Sequence, residues 1–300
     1  MVLTIQSDVK RMIRKVIVPA AGLGRRLFPA TKEQPKEMLP VFSTAVEGEV
    51  LVKPVLQVVF EQLYDSGLRQ FCFVVGRGKR SIEDHFTPNV PYNRALEGLS
   101  SNGFTLDLEA YYEKLKNSTI MWVNQPDPIG FGNAVLMARP FVHDEPCLVH
   151  AGDSTIISEN SDYLKKLLDV YGRLKADAAF IVLEIENPEH YGIMEGEEVE
   201  AGTFRVSKVT EKPAKPRTNL AIMAMYAFNP AIFEALDSIY PGRNGEIQLT
   251  DAIQRLVDWG KKVYAVKLNK SYAHLDIGSP ERYWEALELS YKKSHRRAGN

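Results

Sequence analysis

Three hundred residues carry 37 basic and 38 acidic side chains, a formal net charge of −1, and 45% of the chain is hydrophobic. That length buries a large core in one big α/β domain or two small ones, and the near-neutral balance excludes a global field for nucleic acid or an anionic membrane. The longest apolar runs are strand-length, short of a membrane span; the first dozen residues lack the apolar stretch of a signal peptide; and Cys72 and Cys147 lie inside apolar runs without metal-ligand spacing, which predicts buried free thiols in a reducing cytoplasm.

Residues 1–12 read as a tail, and residues 13–300 as one domain whose strands and helices alternate. Lys15 to Ala20 reads as a buried strand. It runs into Ala21-Gly22-Leu23-Gly24 and then four cations, Arg25, Arg26, Lys32 and Lys36. A turn with so few side chains can present backbone N–H groups to a phosphate chain, and the cations can supply the countercharge. Residues 43–53 read as an irregular insert, an extended hairpin or surface loop. Pro54 to Ser66 has apolar residues at helical spacing, with Pro54 in the first turn and Gly67 at the end. Phe71 to Val75 is the next strand, so residues 15–75 form a βαβ-like unit.

Further on, Ser81 to Phe86 and residues 93–117 read as helical, Ile120 to Val123 as a strand and Gly132 to Arg139 as a short helix. Cys147 to Ala151 is a strand that ends at Gly152-Asp153. Asp162 to Lys175 is a helix and Ala178 to Glu184 a strand. Residues 199–229 read as hairpin strands broken at Glu211-Lys212-Pro213. Thr250 to Trp259 and Pro280 to Lys293 close the chain as helices, the second capped by Ser279. The basic run Lys292 to Arg297 reads as a solvated helix end whose cations suit the C-terminal dipole. The whole predicts a Rossmann-like, mixed and mostly parallel sheet flanked by helices. The domain reads as two halves, residues 13–155 and residues 156–300, the second ending in the C-terminal helix.

Two familiar phosphate loops do not fit the glycine turn. The dinucleotide fingerprint needs a third glycine where Leu27 stands, and no G-K-[ST] follows for a P-loop. Four segments do carry chemistry. Gln125, leaving a strand, with Gly130 close behind, offers an amide and nearby backbone for a pyrimidine edge. Asp153 and Asp276 each stand where a parallel strand would end, the usual place for ligands in α/β sheets. Two carboxylates with substrate phosphates and water suit magnesium. Tyr191-Gly192, Glu211-Lys212-Pro213 and Asn219 offer a carboxylate, an amide and a cation for a sugar phosphate. The six histidines show no ligand spacing, and no nucleophile–base arrangement suggests a covalent intermediate.

Gly22-Leu23-Gly24-Arg25-Arg26-Leu27-Phe28-Pro29-Ala30-Thr31-Lys32 with Pro35-Lys36-Glu37-Met38-Leu39-Pro40 resembles the signature of the sugar-nucleotidyltransferases, in the form found in uridylyltransferases acting on glucose 1-phosphate. Arg25 stands where that family usually has Thr or Ser, the link from Leu39-Pro40 to Lys53-Pro54 is longer, Gly152 replaces a frequent proline, and Ala224 replaces a common glycine. The resemblance implies a nucleotide site at Ala20, Ala21, Gly22, Gly24, Glu37, Gln125, Gly130 and Gly152. It implies a sugar site at Tyr191, Gly192, Glu211, Lys212 and Asn219, and Mg²⁺ on Asp153 and Asp276. The catalytic cations would be Arg26 at the β,γ-phosphates, Lys36 at the α-phosphate and Lys212 at the sugar phosphate. Gly245 to Ile253 is read as mainly structural. UTP and glucose 1-phosphate are the implied substrates, with no nucleic acid or membrane partner, in a cytoplasmic homodimer or homotetramer. A thymidylyltransferase, an enzyme using both nucleotides, and a non-catalytic sugar-nucleotide sensor stay open as alternatives.

Overall fold

The computed structural model describes residues 13–89, 103–158, 161–242 and 245–298. The expected helix over residues 93–117 falls partly outside them. Its described part is a helix over Gly103–Lys116.

A nine-stranded sheet forms the centre, in the order β5-β4-β1-β6-β11-β8-β12-β10-β9. The strands are β1 (Lys15–Pro19), β4 (Gln70–Val75), β5 (Thr119–Asn124), β6 (Cys147–His150), β8 (Ala178–Glu184), β9 (Gly192–Glu200), β10 (Thr203–Glu211), β11 (Leu220–Phe228) and β12 (Val263–Lys267). β5, β4, β1, β6, β8, β12 and β9 run one way, and β11 and β10 run against them. The sheet is therefore mixed, with a parallel block at its β5 edge. β11 pairs with both β6 and β8, so strands from early and late sequence share one sheet.

The central strands are buried on both faces, which is why they read as unbroken apolar runs rather than alternating ones. Val16, Val18, Phe71 and Phe73 pack with α1 (Val55–Asp65), α3 (Gly103–Lys116) and α6 (Asp162–Arg173). The alternate residues Ile17, Cys72, Val74 and Val149 pack with α4 (Phe131–Met137), α5 (Arg139–Val142), α7 (Ala231–Asp237) and α8 (Leu249–Asp258). Successive side chains on a strand point to opposite faces, so the two apolar sets divide between two helical layers. Fully buried rings such as Phe60, Phe71 and Phe180 each contribute about 2–3 kcal/mol. Cys72 and Cys147 are free and buried, and burial pushes both thiols up to about 12.

Residues 43–53 are the tip and return of a hairpin, β2 (Pro40–Thr44) against β3 (Val50–Pro54). Lys53 fastens it to the helical layer through Glu61 at 2.9 Å and Asp107 at 2.8 Å. Burial works against that ammonium, but the two carboxylates outweigh it and hold its pKa raised. The last helix, α9 (Pro280–Ala298), lies along this hairpin, where Tyr291 meets Phe42 edge-on at 5.0 Å and Tyr283 donates to the Pro40 carbonyl at 3.0 Å. α9 starts at Pro280, with the Ser279 hydroxyl accepting from the Arg282 N–H at 3.4 Å, and outruns its expected end. The short helix α2 (Arg80–His85) completes the described helices.

One expectation is corrected. Asp276 does not end a parallel strand of the main sheet. It ends β13 (Ala273–Asp276), which pairs antiparallel with β7 (Ser154–Ile157) in a separate two-stranded ribbon, Asp276 opposite Ser154. Four-residue strands are too short to show a period, so nothing in the sequence distinguished them from loop.

Candidate active site

The ribbon is what joins the two aspartates. Asp153 immediately precedes β7, and its carbonyl accepts from the Ile277 N–H at 3.0 Å, one residue past Asp276. Both carboxylates line one cavity of about 410 Å³. Asp153 also lines a neighbouring cavity of about 500 Å³, and Lys36, Phe131 and Glu246 are shared in the same way. The site is thus two chambers meeting at Lys36 and Asp153.

The first chamber is walled by the turn after β1. Ala20 N–H bonds to the Val74 carbonyl at 2.8 Å, and Gly152 N–H to the Pro19 carbonyl at 3.2 Å, so the chain leaves the sheet pinned on both sides. Ala20 and Gly152 are themselves buried supports. Ala21, Gly22, Leu23, Gly24 and Arg25 line the space. Gly24 sits at φ +62° before a one-turn 3₁₀ helix over Arg25–Leu27. Three residues per turn point successive side chains about 120° apart. Arg25 therefore lines the first chamber and Arg26 the second. Lys32 faces solvent beside Glu33 and reaches neither.

Lys36 and Asp153 form a hydrogen-bonded ion pair at the junction. Burial opposes both charges. The Asp153 carboxylate, then that of Glu37, keeps the Lys36 pKa raised, and Lys36 holds the Asp153 carboxyl below its usual range. Glu37 is fully buried against Lys79 at 2.8 Å. For it, burial outweighs Lys79 and Lys36, and its pKa is raised.

At the far wall, Gln125 leaves β5 as expected. Its side-chain amide donates to the Gly130 carbonyl at 3.2 Å and to Asn133 Oδ1 at 2.8 Å. A backbone carbonyl can only accept, which fixes the amide orientation and leaves Gln125 Oε1 as the remaining side-chain acceptor. Gly130 has φ +118° and lies so close to the chain that a Cβ would stand 2.5 Å from the Ile247 oxygen. Ile247 donates to the Ile129 carbonyl at 2.7 Å and accepts from Gly132 at 2.9 Å. The segment read as structural thus clamps this loop, and Gly245, Glu246, Gln248 and Thr250 also line the chambers.

The second chamber gathers Arg26, Tyr191, Gly192, Glu211 and Lys212. Gly192 pairs with Glu211 across β9 and β10. Glu211 accepts from the Thr250 hydroxyl at 2.7 Å and pairs with Lys212 at 3.1 Å. Lys212 takes φ +39°, unusual for a side chain with a Cβ, and its N–H bonds to the Tyr191 carbonyl at 3.1 Å. Strain of this kind is held by surrounding structure and clusters at functional sites. Asn219 is not brought in: it is exposed, lines neither chamber, and its carbonyl closes the strand contact to Ile185.

Arg25 lines the first chamber as one of the cations expected around the glycine turn, whereas sequence reading missed Arg282, His274 and Glu246 as site residues. His274 shares a face of β13 with Asp276, burial lowers its pKa, and its Nε2 has no hydrogen-bond partner among the described residues. Arg282, at the start of α9, bonds Asp276 at 2.5 Å. The only signal for it was its place six residues after that aspartate. The two carboxylates, held together by backbone, are the residues here that could hold a hard divalent ion with water and phosphate as its other ligands.

Known proteins resemble the whole chain. A uridylyltransferase from Pseudomonas aeruginosa named for UTP and glucose 1-phosphate is 34% identical over 290 residues, covering 95% of this chain and 98% of the relative. One of the same name from Bacillus subtilis is 38% identical over 249 residues, covering 82% and 81%. Among solved structures, a UDP-glucose pyrophosphorylase complexed with UDP-glucose superposes with a TM-score of 0.80 at 32% identity, over 94% of this chain and all of that one. A UTP-bound UGPase from Acinetobacter baumannii gives 0.77 at 28% identity, over 94% and 98%. The nucleotidyl transferase family model matches residues 15–293, so this chain belongs to the nucleotidyl transferase family.

Proposed function

We propose that the chain is a UTP–glucose-1-phosphate uridylyltransferase, which joins UTP and glucose 1-phosphate into UDP-glucose and releases pyrophosphate. The observation that carries this reading is the meeting of two chambers at Lys36 and Asp153, one walled by a phosphate-type turn and an oriented amide, the other by Glu211 and Lys212. The relatives' names point the same way.

In the first chamber, Gln125 Oε1 would accept from the imide N3–H of a uracil, with the backbone near Gly130 facing a flanking carbonyl. Arg25 faces the triphosphate there, and Arg26, from the second-chamber side, meets the β,γ-phosphates that leave. Lys36 serves the α-phosphate. In the second chamber Lys212 holds the sugar phosphate and Glu211, fixed by Thr250, accepts from sugar hydroxyls. A phosphate monoester has its second pKa near ~6, so glucose 1-phosphate is a dianion at neutral pH and attacks the α-phosphorus without a general base. The obstacle is repulsion between polyanions, which positioning and countercharge remove. Asp153 and Asp276 would hold Mg²⁺, which supplies part of that countercharge.

A panel of nucleotides against sugar 1-phosphates, read by pyrophosphate release, tests the assignment. UTP with glucose 1-phosphate should head it, and CTP, which lacks the N3–H, should fail. Because thymine shares the imide edge, dTTP outpacing UTP would move the assignment to a thymidylyltransferase, and no release with any pair would leave a binding protein. Lys212→Ala removes a charge-assisted contact of about 1.5–3 kcal/mol. It should raise the KM for glucose 1-phosphate tenfold or more and that for UTP much less. An equal rise in both would take Lys212 away from the sugar end.

A further inference from the structure

Arg282 is the one cation of the second chamber contributed by α9. Its Nη1 sits 2.5 Å from Asp276 Oδ2, and its guanidinium carbon lies 4.5 Å from the centroid of the Tyr191 ring. Both members of the pair are largely buried, at 23% and 18% side-chain exposure. The guanidinium therefore bridges a carboxylate assigned to the metal and a ring assigned to the sugar, and it faces the space between them.

We propose that Arg282 is a displaceable counter-ion: it neutralises Asp276 in the free protein and passes to the incoming sugar phosphate when a divalent ion takes that carboxylate. The proposal rests on the reading of Asp153 and Asp276 as the metal pair. Its physical basis is competition. A guanidinium stays charged at every working pH, so it contests the oxygen that a divalent ion would use and repels that ion from close range. An anion entering the chamber gives the guanidinium a new partner and lifts both penalties at once. The Tyr191 face limits how far the released group can stray, since a cation over a ring is attracted there. Metal and sugar phosphate should then bind with positive coupling, each helping the other by the same factor. Lys36 on Asp153 is the corresponding contact at the chamber junction, where Glu37 also acts on Lys36.

The test is Mn²⁺ binding to the whole protein, followed through the electron-spin-resonance signal of free Mn²⁺, with and without glucose 1-phosphate. Arg282→Gln should bind Mn²⁺ about tenfold tighter than wild type when no substrate is present. Its affinity for glucose 1-phosphate should fall about tenfold, and the coupling between the two ligands should largely vanish. Arg282→Lys, which keeps the charge and loses the planar stack, should lie between. A merely structural residue would not tighten metal binding when removed. Unchanged or weaker Mn²⁺ binding by Arg282→Gln, in a protein whose wild type releases pyrophosphate, would overturn the counter-ion role and spare the functional reading. A wild type that releases none would sink both.

Discussion

Asp153→Asn is expected to lower kcat by about a thousandfold and to weaken glucose 1-phosphate binding far less. The substitution keeps shape and one acceptor oxygen but removes the charge at the junction of the two chambers, where Asp153 meets Lys36. Charge stabilisation aimed at a developing transition state is worth about 3–4 kcal/mol per group in an excluded site, and ~4 kcal/mol is about three decades of rate. The sugar contacts proposed for Glu211, Lys212 and Tyr191 do not run through Asp153, so ground-state sugar binding falls much less than turnover. The ion pair also has a signature in pH. Burial opposes ionisation of Asp153, yet Lys36 holds its carboxyl below the usual range. A carboxyl with a depressed folded pKa lends stability that is present above its unfolded value, near ~3.9, and is lost as pH falls through the folded value. The stability gap between wild type and Asp153→Asn should therefore be open at neutral pH and close below about pH 4. Wild-type turnover by the variant at ordinary magnesium would remove Asp153 from the chemistry.

What the sequence made legible, it did so through local physics. The strand over Lys15–Pro19, the helix over Val55–Asp65 and the strand over Gln70–Val75 appear within a residue or two of expectation, because apolar runs of strand length and a Pro-started helical period are short-range signals. The glycine turn and Gln125 were visible for the same reason. The backbone that joins the two aspartates was not. Asp153 and Asp276 are 123 positions apart, and what joins them is a ribbon of two four-residue strands, β7 and β13, too short for any period. Arg25 and Arg26 are neighbours in sequence and part company only because the turn there is 3₁₀. The role of Ile247 is a backbone contact to a loop more than a hundred residues earlier, and backbone carries no side-chain signature. Asn219 stands apart from both chambers. Its motif is in the sequence, but the residue lies exposed just before β11.

Gly130→Ala should be severely damaging for a single added methyl group. At φ +118° any L side chain is strained, a cost of about 1–3 kcal/mol by itself. The added Cβ would also stand 2.5 Å from the Ile247 oxygen and 2.8 Å from its nitrogen, and backbone cannot step aside as a flexible side chain can. The loop must therefore move away from Ile247, breaking the bonds that tie Ile129 and Gly132 to it at 2.7 Å and 2.9 Å. Moving Gly130 also withdraws one of the two acceptors that orient the Gln125 amide. Freed to rotate, that amide would present donor and acceptor alike to the base. The expected result is a fall of at least a hundredfold in kcat/KM for UTP, partial loss of discrimination against CTP, and a lower Tm, with glucose 1-phosphate binding nearly intact because the second chamber does not include this loop beyond Phe131. Steady-state kinetics with both nucleotides beside a thermal melt would separate these effects. A variant that melts early yet keeps wild-type preference for UTP would show that the loop supports the fold and that base selection lies elsewhere in the first chamber.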